Sequence, residues 1–133
     1  MDAAVDDPGP GRLTATDLLR VEVSVPLGIE ASFALFTDGL ADWWPASSPL
    51  REVEATVTLW EPQAHIRVTW APGATIDVRF AEVDDDLTTV IVEHRHLDAH
   101  DPATRALITG DDGWWSVLRA FAAAARARTA PAS

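Results

Sequence analysis

The sequence predicts an α+β domain in which an antiparallel sheet wraps a long C-terminal helix. Apolar and polar residues alternate with period two in five separate stretches. Turns of hairpin length separate the last four of them, which makes sequential strands antiparallel neighbours. One helical stripe near the C-terminus, Trp114, Val117, Leu118, Phe121 and Ala125, then supplies a cover for the sheet's apolar face.

Residues 1 to 16 come first and are rich in Asp, Ala, Pro and Gly, with Pro8-Gly9-Pro10-Gly11 at their centre. They read as a disordered tail with too little apolar surface to order itself. A single domain is expected over 17 to 128, followed by a flexible end at 129 to 133. The first strand is 18 to 25, where Leu19, Val21, Val23 and Val25 alternate with Arg20, Glu22 and Ser24 up to Pro26. Ile29, Phe33 and Phe36 fall at helical spacing, so a short amphipathic helix spans 29 to 37 and stops at Thr37-Asp38-Gly39. A second, single-turn helix over 39 to 44 carries Trp43 and Trp44 and ends at Pro45. Residues 45 to 50 are loop.

Four strands follow. In 52 to 60 the apolar set is Val53, Ala55, Val57 and Leu59; in 64 to 71 it is Ile66, Val68 and Trp70. Ile76, Val78 and Phe80 alternate with Asp77 and Arg79 in the next. In 87 to 96, Val90, Val92 and His94 share one face and Ile91, Glu93 and Arg95 the other. Arg67, Arg79, Glu93 and Arg95 therefore point outward, as a solvated or cross-strand-paired face. Asp101-Pro102 reads as an N-cap and N1 pair that starts the helical region early. Gly110-Asp111-Asp112-Gly113 breaks or kinks it, so one helix and two are both open. The element order is β-α-α-β-β-β-β-α.

Bulk properties narrow the function classes. The chain has 133 residues, 47% of them hydrophobic and 23% charged, which suits one globular domain with a real core. No apolar run approaches the ~18 residues of a membrane helix, and no signal-type apolar region opens the sequence. A cytoplasmic location is the resulting expectation. A net charge of −11, with all basic residues arginine, argues against nucleic acid and anionic membrane as partners. The absence of cysteine removes disulfides, thiolate nucleophiles and zinc–sulfur sites.

Four pieces of this chain resemble one family. They are Arg20-Val21-Glu22-Val23; the stretch Phe33 to Pro45 ending in Trp43-Trp44-Pro45; Leu59-Trp60-Glu61-Pro62 leading to Val68-Thr69-Trp70; and Val92-Glu93-His94-Arg95 followed by Gly113-Trp114 and Phe121. In order and spacing they resemble the START-like helix-grip superfamily (SRPBCC), in its branch of homologues of the heat-shock-protein-90 ATPase activator. The resemblance implies a ligand cavity between sheet and C-terminal helix, or a chaperone partner and a role in stress response. Relatives carry two further strands between the Trp-Trp-Pro element and the Trp-Glu-Pro strand. Only Ala46 to Arg51 stands there in this chain, so about five strands are expected instead of seven. By the family's strand order 18 to 25 is then an exposed edge, suited to pairing with a second copy as a homodimer.

Within that fold the expected ligand contacts are Phe33, Trp43, Trp44, Trp70, Phe80, His94, Trp114 and Phe121, with the 33 to 45 element as a lid. The same aromatics also serve as plain core, and Trp60 with them. Trp44 and Trp115 stand beside core positions and suit a pocket rim or an interface. His94, on the apolar face, is either a satisfied core histidine or a polar handle in the cavity. His94, His96 and His100, with Asp98 and Asp101 nearby, form the one cluster with metal-ligand chemistry, although the resemblance implies no metal and no cofactor. No nucleophile motif or phosphate-binding glycine loop is present, and no catalytic residue is assigned. The leading expectation is a binding module for a small hydrophobic molecule. Its alternatives are a protein-interaction module without ligand and a cavity enzyme of cyclase or hydratase type that uses His94.

Overall fold

The computed structural model describes residues 11–14, 18–39, 43–44, 55–70, 73–111 and 113–129. Its strands are β1 (Gly11–Thr14), β2 (Leu18–Val25), β3 (Ala55–Glu61), β4 (His65–Trp70), β5 (Ala74–Asp84) and β6 (Leu87–Arg95). Its helices are α1 (Ile29–Thr37), α2 (Pro102–Thr109) and α3 (Trp114–Thr129), with a short 3-10 turn at Leu97–Ala99. The strands form one antiparallel sheet in the order β1-β2-β6-β5-β4-β3. The α+β class and the five expected strands are present.

Two expectations are corrected by β1. Residues 11 to 14, placed by the sequence in a disordered tail, pair in register with β2 from Gly11↔Glu22 to Thr14↔Leu19. Backbone pairing with a long neighbouring strand orders a segment that has little apolar surface of its own. Consequently β2 (18–25) is not an exposed edge open to a second copy; it lies between β1 and β6. The expected helix at 39 to 44 falls outside the described residues apart from Gly39, Trp43 and Trp44, and so does the 46 to 51 segment.

The sheet's inner face carries Leu19, Val21, Val23, Val25, Ile66, Ile76, Val78, Phe80, Val90 and Val92, all buried. Each comes from the period-two sets of the sequence. On this face lie α1, through Phe33 and Phe36, and α3, through Val117, Leu118, Phe121 and Ala125. The helical region does begin at Asp101-Pro102: the Asp101 carboxylate accepts from the Thr104 N–H at 2.7 Å, and Pro102 takes the first helical position. It is two helices, not one. A Cβ on Gly113 would collide with the carbonyl oxygen of Ile108, so only glycine permits the close turn between α2 and α3.

On the outer face, polar residues pair across strands as their parity suggests. Arg20, Arg79 and Arg95 all approach Glu93, the closest being Arg95 at 2.7 Å. Asp77 lies among them only 2% exposed, accepting from His65 Nε2 at 2.7 Å and Arg67 Nε at 2.8 Å. Burial pushes its carboxyl up, but the hydrogen bonds from Arg67 and His65 outweigh burial and hold it below the usual range.

The alternation read in β3 contains one misplacement. Val57 pairs with Val68, but a bulge follows, and Leu59 then pairs with Arg67 and Trp60 with Ile66. The extra residue, Thr58, reverses the phase. Leu59 therefore turns to the outer side and Trp60 to the inner one, where, still 51% exposed at the sheet edge, it meets Phe33 edge to face at 5.3 Å. This matters for the site. Among the described residues no helix is long and apolar enough to cross a membrane.

Candidate functional site

A cavity of about 400 Å³ opens between the β3 side of the sheet and the helices. Its floor is Ile66, Val68, Ile76 and Val78 from β4 and β5, with Ala55 from β3. Its walls are Phe36, Trp44, Trp60, Trp70 and Trp114, and the C-terminal end of α1 contributes Thr37 and Asp38. The size is that of small-molecule sites, which run about 300–1,000 Å³. Four indoles and a phenyl ring make the lining largely aromatic.

The eight expected ligand contacts fall into three groups. Trp44, Trp70 and Trp114 do line the cavity. Phe33, Trp43, Phe80 and Phe121 instead form a packed aromatic cluster beside it, joined through Phe36: Phe36 meets Trp43 at 5.4 Å, Phe80 at 5.6 Å and Phe121 at 5.2 Å between ring centres. Trp43 Nε1–H donates to the Leu35 carbonyl at 2.8 Å, satisfying one of the carbonyls that the end of α1 leaves free. His94, the eighth, belongs to a separate polar network.

His94 has no exposed surface. Trp114 Nε1–H donates to His94 Nδ1 at 3.0 Å, and His94 Nε2 meets His100 Nε2 at 3.1 Å. An indole nitrogen can only donate, so His94 Nδ1 carries no proton. Neutral His94 therefore has its proton on Nε2 and donates it to His100, whose own proton sits on Nδ1. Burial pushes the His94 pKa down to about 3, and the nearby His100 adds to the shift. Burial also lowers His100, against a raising influence from Asp101. Trp70 packs against both rings, 5.3 Å from His94 and 4.7 Å from His100.

This geometry separates His94 from the cavity, with Trp70 and Trp114 touching both. The histidine is a satisfied core group that fixes two cavity-lining indoles, and it is not placed to exchange a proton with an occupant. The histidines expected to share a metal do not converge. His96 adopts a left-handed backbone (φ 63°) and is exposed, while His94 and His100 turn inward. Among the described residues no group of three or more His, Asp or Glu side chains could hold a metal ion.

Several lining residues escaped the sequence reading. The alternation puts Trp60 on the outward parity, and the bulge at Thr58 that turns it inward leaves no trace in that pattern. Phe36, three positions after Phe33, carried a usable signal as the next position on the same stripe. Trp44 has a buried indole N–H with no acceptor among the described residues, and its ring stands edge to face on Trp114 at 5.9 Å. That difference from Trp43 gives an expected result. Trp43→Phe costs about 2–3 kcal/mol, because it strands the Leu35 carbonyl and removes ring area. Trp44→Phe changes stability by less than about 1 kcal/mol, since deleting a buried donor with no acceptor among the described residues offsets the lost area. Urea denaturation of the two variants checks the order; equal losses would contradict it.

No family model matches the chain, and no curated protein matches it either. Solved structures do. The self-sacrificing resistance protein CalC from Micromonospora echinospora is 20% identical, with a TM-score of 0.66 over 84% of this chain and 96% of that one. The Aha1 dimer from Colwellia psychrerythraea is 15% identical, with a TM-score of 0.62 over 81% of this chain and 95% of that one. CalU16, also from Micromonospora echinospora, is 17% identical, with a TM-score of 0.60 over 90% and 87%. At these identities the likeness speaks for the fold alone: the chain shares the START-like helix-grip fold of these structures, an Aha1 and an AHSA1-like protein among them.

Proposed function

We propose that this domain is a binding module for a small hydrophobic molecule, held between the β3–β5 part of the sheet and the N-terminal end of α3. The cavity of about 400 Å³, walled by Phe36 and four tryptophans, carries the reading. A cavity of roughly 150 Å³ accepts benzene, so this volume matches a compact molecule of two or three rings. Aromatic walls suit flat ligands, since offset and edge-on ring contacts add to burial. His94 lies outside the cavity without accessible surface, which supports binding over the enzyme alternative.

The test uses N-phenyl-1-naphthylamine, a neutral probe of three rings whose emission rises in apolar surroundings. One saturable site is expected, with quenching of tryptophan emission in step. Val68→Trp, which fills the cavity floor, is expected to weaken the probe at least tenfold while circular dichroism stays unchanged. Absence of saturable binding, or equal binding by a folded Val68→Trp variant, would sink the reading. Native mass spectrometry of the purified protein adds a direct view of any retained molecule.

A further inference from the structure

Resting on that binding reading, we infer that the cavity selects by charge: it takes an aromatic molecule bearing an ammonium group and disfavours a carboxylate of the same shape. The lining contains one charged residue among the described residues, Asp38, which is exposed, and no cationic one. Arg128 reaches the neighbourhood of Gly39, yet it is not among the lining residues.

Three further features point the same way. Asp38 is the C-cap of α1, and the end of that nine-residue helix, Thr37 and Asp38, reaches the cavity. A helix C-terminus carries negative partial charge, which favours a cation in front of it. Four tryptophans line the cavity, and Trp attracts a cation more strongly than the other aromatic residues.

The third feature is that two of the lining's donors are already engaged. The Trp114 N–H is spent on His94, and the Thr37 hydroxyl is spent on the Phe33 carbonyl at 2.7 Å. The Trp44 N–H is buried and offers no accessible surface. A carboxylate entering the cavity would leave its hydration shell and find, among the described residues, neither a counter-charge nor those two donors, a cost that an ammonium against indole rings does not meet. The net charge of −11 acts in the same direction at long range.

Three probes with one naphthalene body separate the possibilities: 2-naphthylmethylammonium, 2-naphthylmethanol and 2-naphthylacetate. Calorimetric titration at 150 mM salt limits the contribution of distant charges. The ammonium is expected to bind roughly tenfold tighter than the carboxylate, with the alcohol between them. Asp38→Asn is expected to remove most of the ammonium's advantage over the alcohol. Equal affinities for the three probes, or preference for the carboxylate, overturns the charge selection and leaves the cavity reading standing. Retention of the same preference by the cavity-filling Val68→Trp variant also overturns it, by locating the selection elsewhere on the acidic surface. Failure of all three probes to bind removes the cavity reading and the charge selection together.

Discussion

Phe121→Ala is expected to lower the unfolding free energy by about 3–5 kcal/mol, the range for truncating a buried phenylalanine. Phe121 is fully buried on α3 and contacts Phe36 at 5.2 Å and Trp43 at 5.1 Å. It is thus the point where the long helix grips the aromatic cluster. Loss of its ring opens a void that rigid neighbours cannot collapse into, because Trp43 is tethered to the Leu35 carbonyl. Against a typical total of about 5–15 kcal/mol, this is a large fraction. The same change is expected to weaken the cavity, since Phe36 belongs to both the cluster and the lining. Urea denaturation gives the stability, with Phe121→Leu retaining most of it. A loss below about 1 kcal/mol for the alanine variant would show that the cluster does not hold the helix.

Acid sensitivity well above the carboxylate range is the second large effect. His94 is neutral in the folded chain, its pKa pushed down to about 3 by burial, whereas an unfolded histidine titrates near 6.5. Between those values the unfolded chain binds more protons than the folded one, so stability falls as the pH falls through that window. From pH 7 to pH 5 the loss from this residue is about 2 kcal/mol. His100, also lowered, adds loss of the same sign. His94→Gln keeps an amide to meet Trp114 and His100 but cannot titrate, so its stability is expected to change much less over this range. Urea midpoints at pH 7 and pH 5 make the comparison. If wild type and variant lose the same amount, protonation of His94 is not the cause.

The parts of this fold that could be read from sequence are those whose signal is local. Val21, Val23 and Val25, and likewise Val90 and Val92, alternate against polar neighbours, so their strands and inner faces follow from period two alone. The α3 stripe is equally direct. The bulge at Thr58 is different, because inserting one residue into an alternating run leaves Val57 and Leu59 looking like one face, while the pairing sends Leu59 out and Trp60 in. β1 was illegible for another reason: Gly11 to Thr14 has no strand pattern of its own, and its order comes from pairing with β2. The His94–His100 contact depends on a left-handed backbone at His96, a conformation that a non-glycine residue does not announce. The site was therefore visible as a density of tryptophans. Which of them face the cavity was settled by one bulge and one turn.

The pairing of β2 with β6 has a consequence for how the protein forms. β3 to β6 are consecutive, and β4, β5 and β6 each join the strand before through a short turn, so this part of the sheet assembles from local encounters. β2 instead pairs Leu18 with Arg95 and Val25 with Thr88, closing a long loop that spans most of the domain. The entropy of that closure must be met before its contacts repay it, which makes docking of β2 the slow event. β1 depends in turn on β2 for its register. Pairing of β2 with β6 is thus the expected slow step in folding, and the edge strand β1 can only follow it.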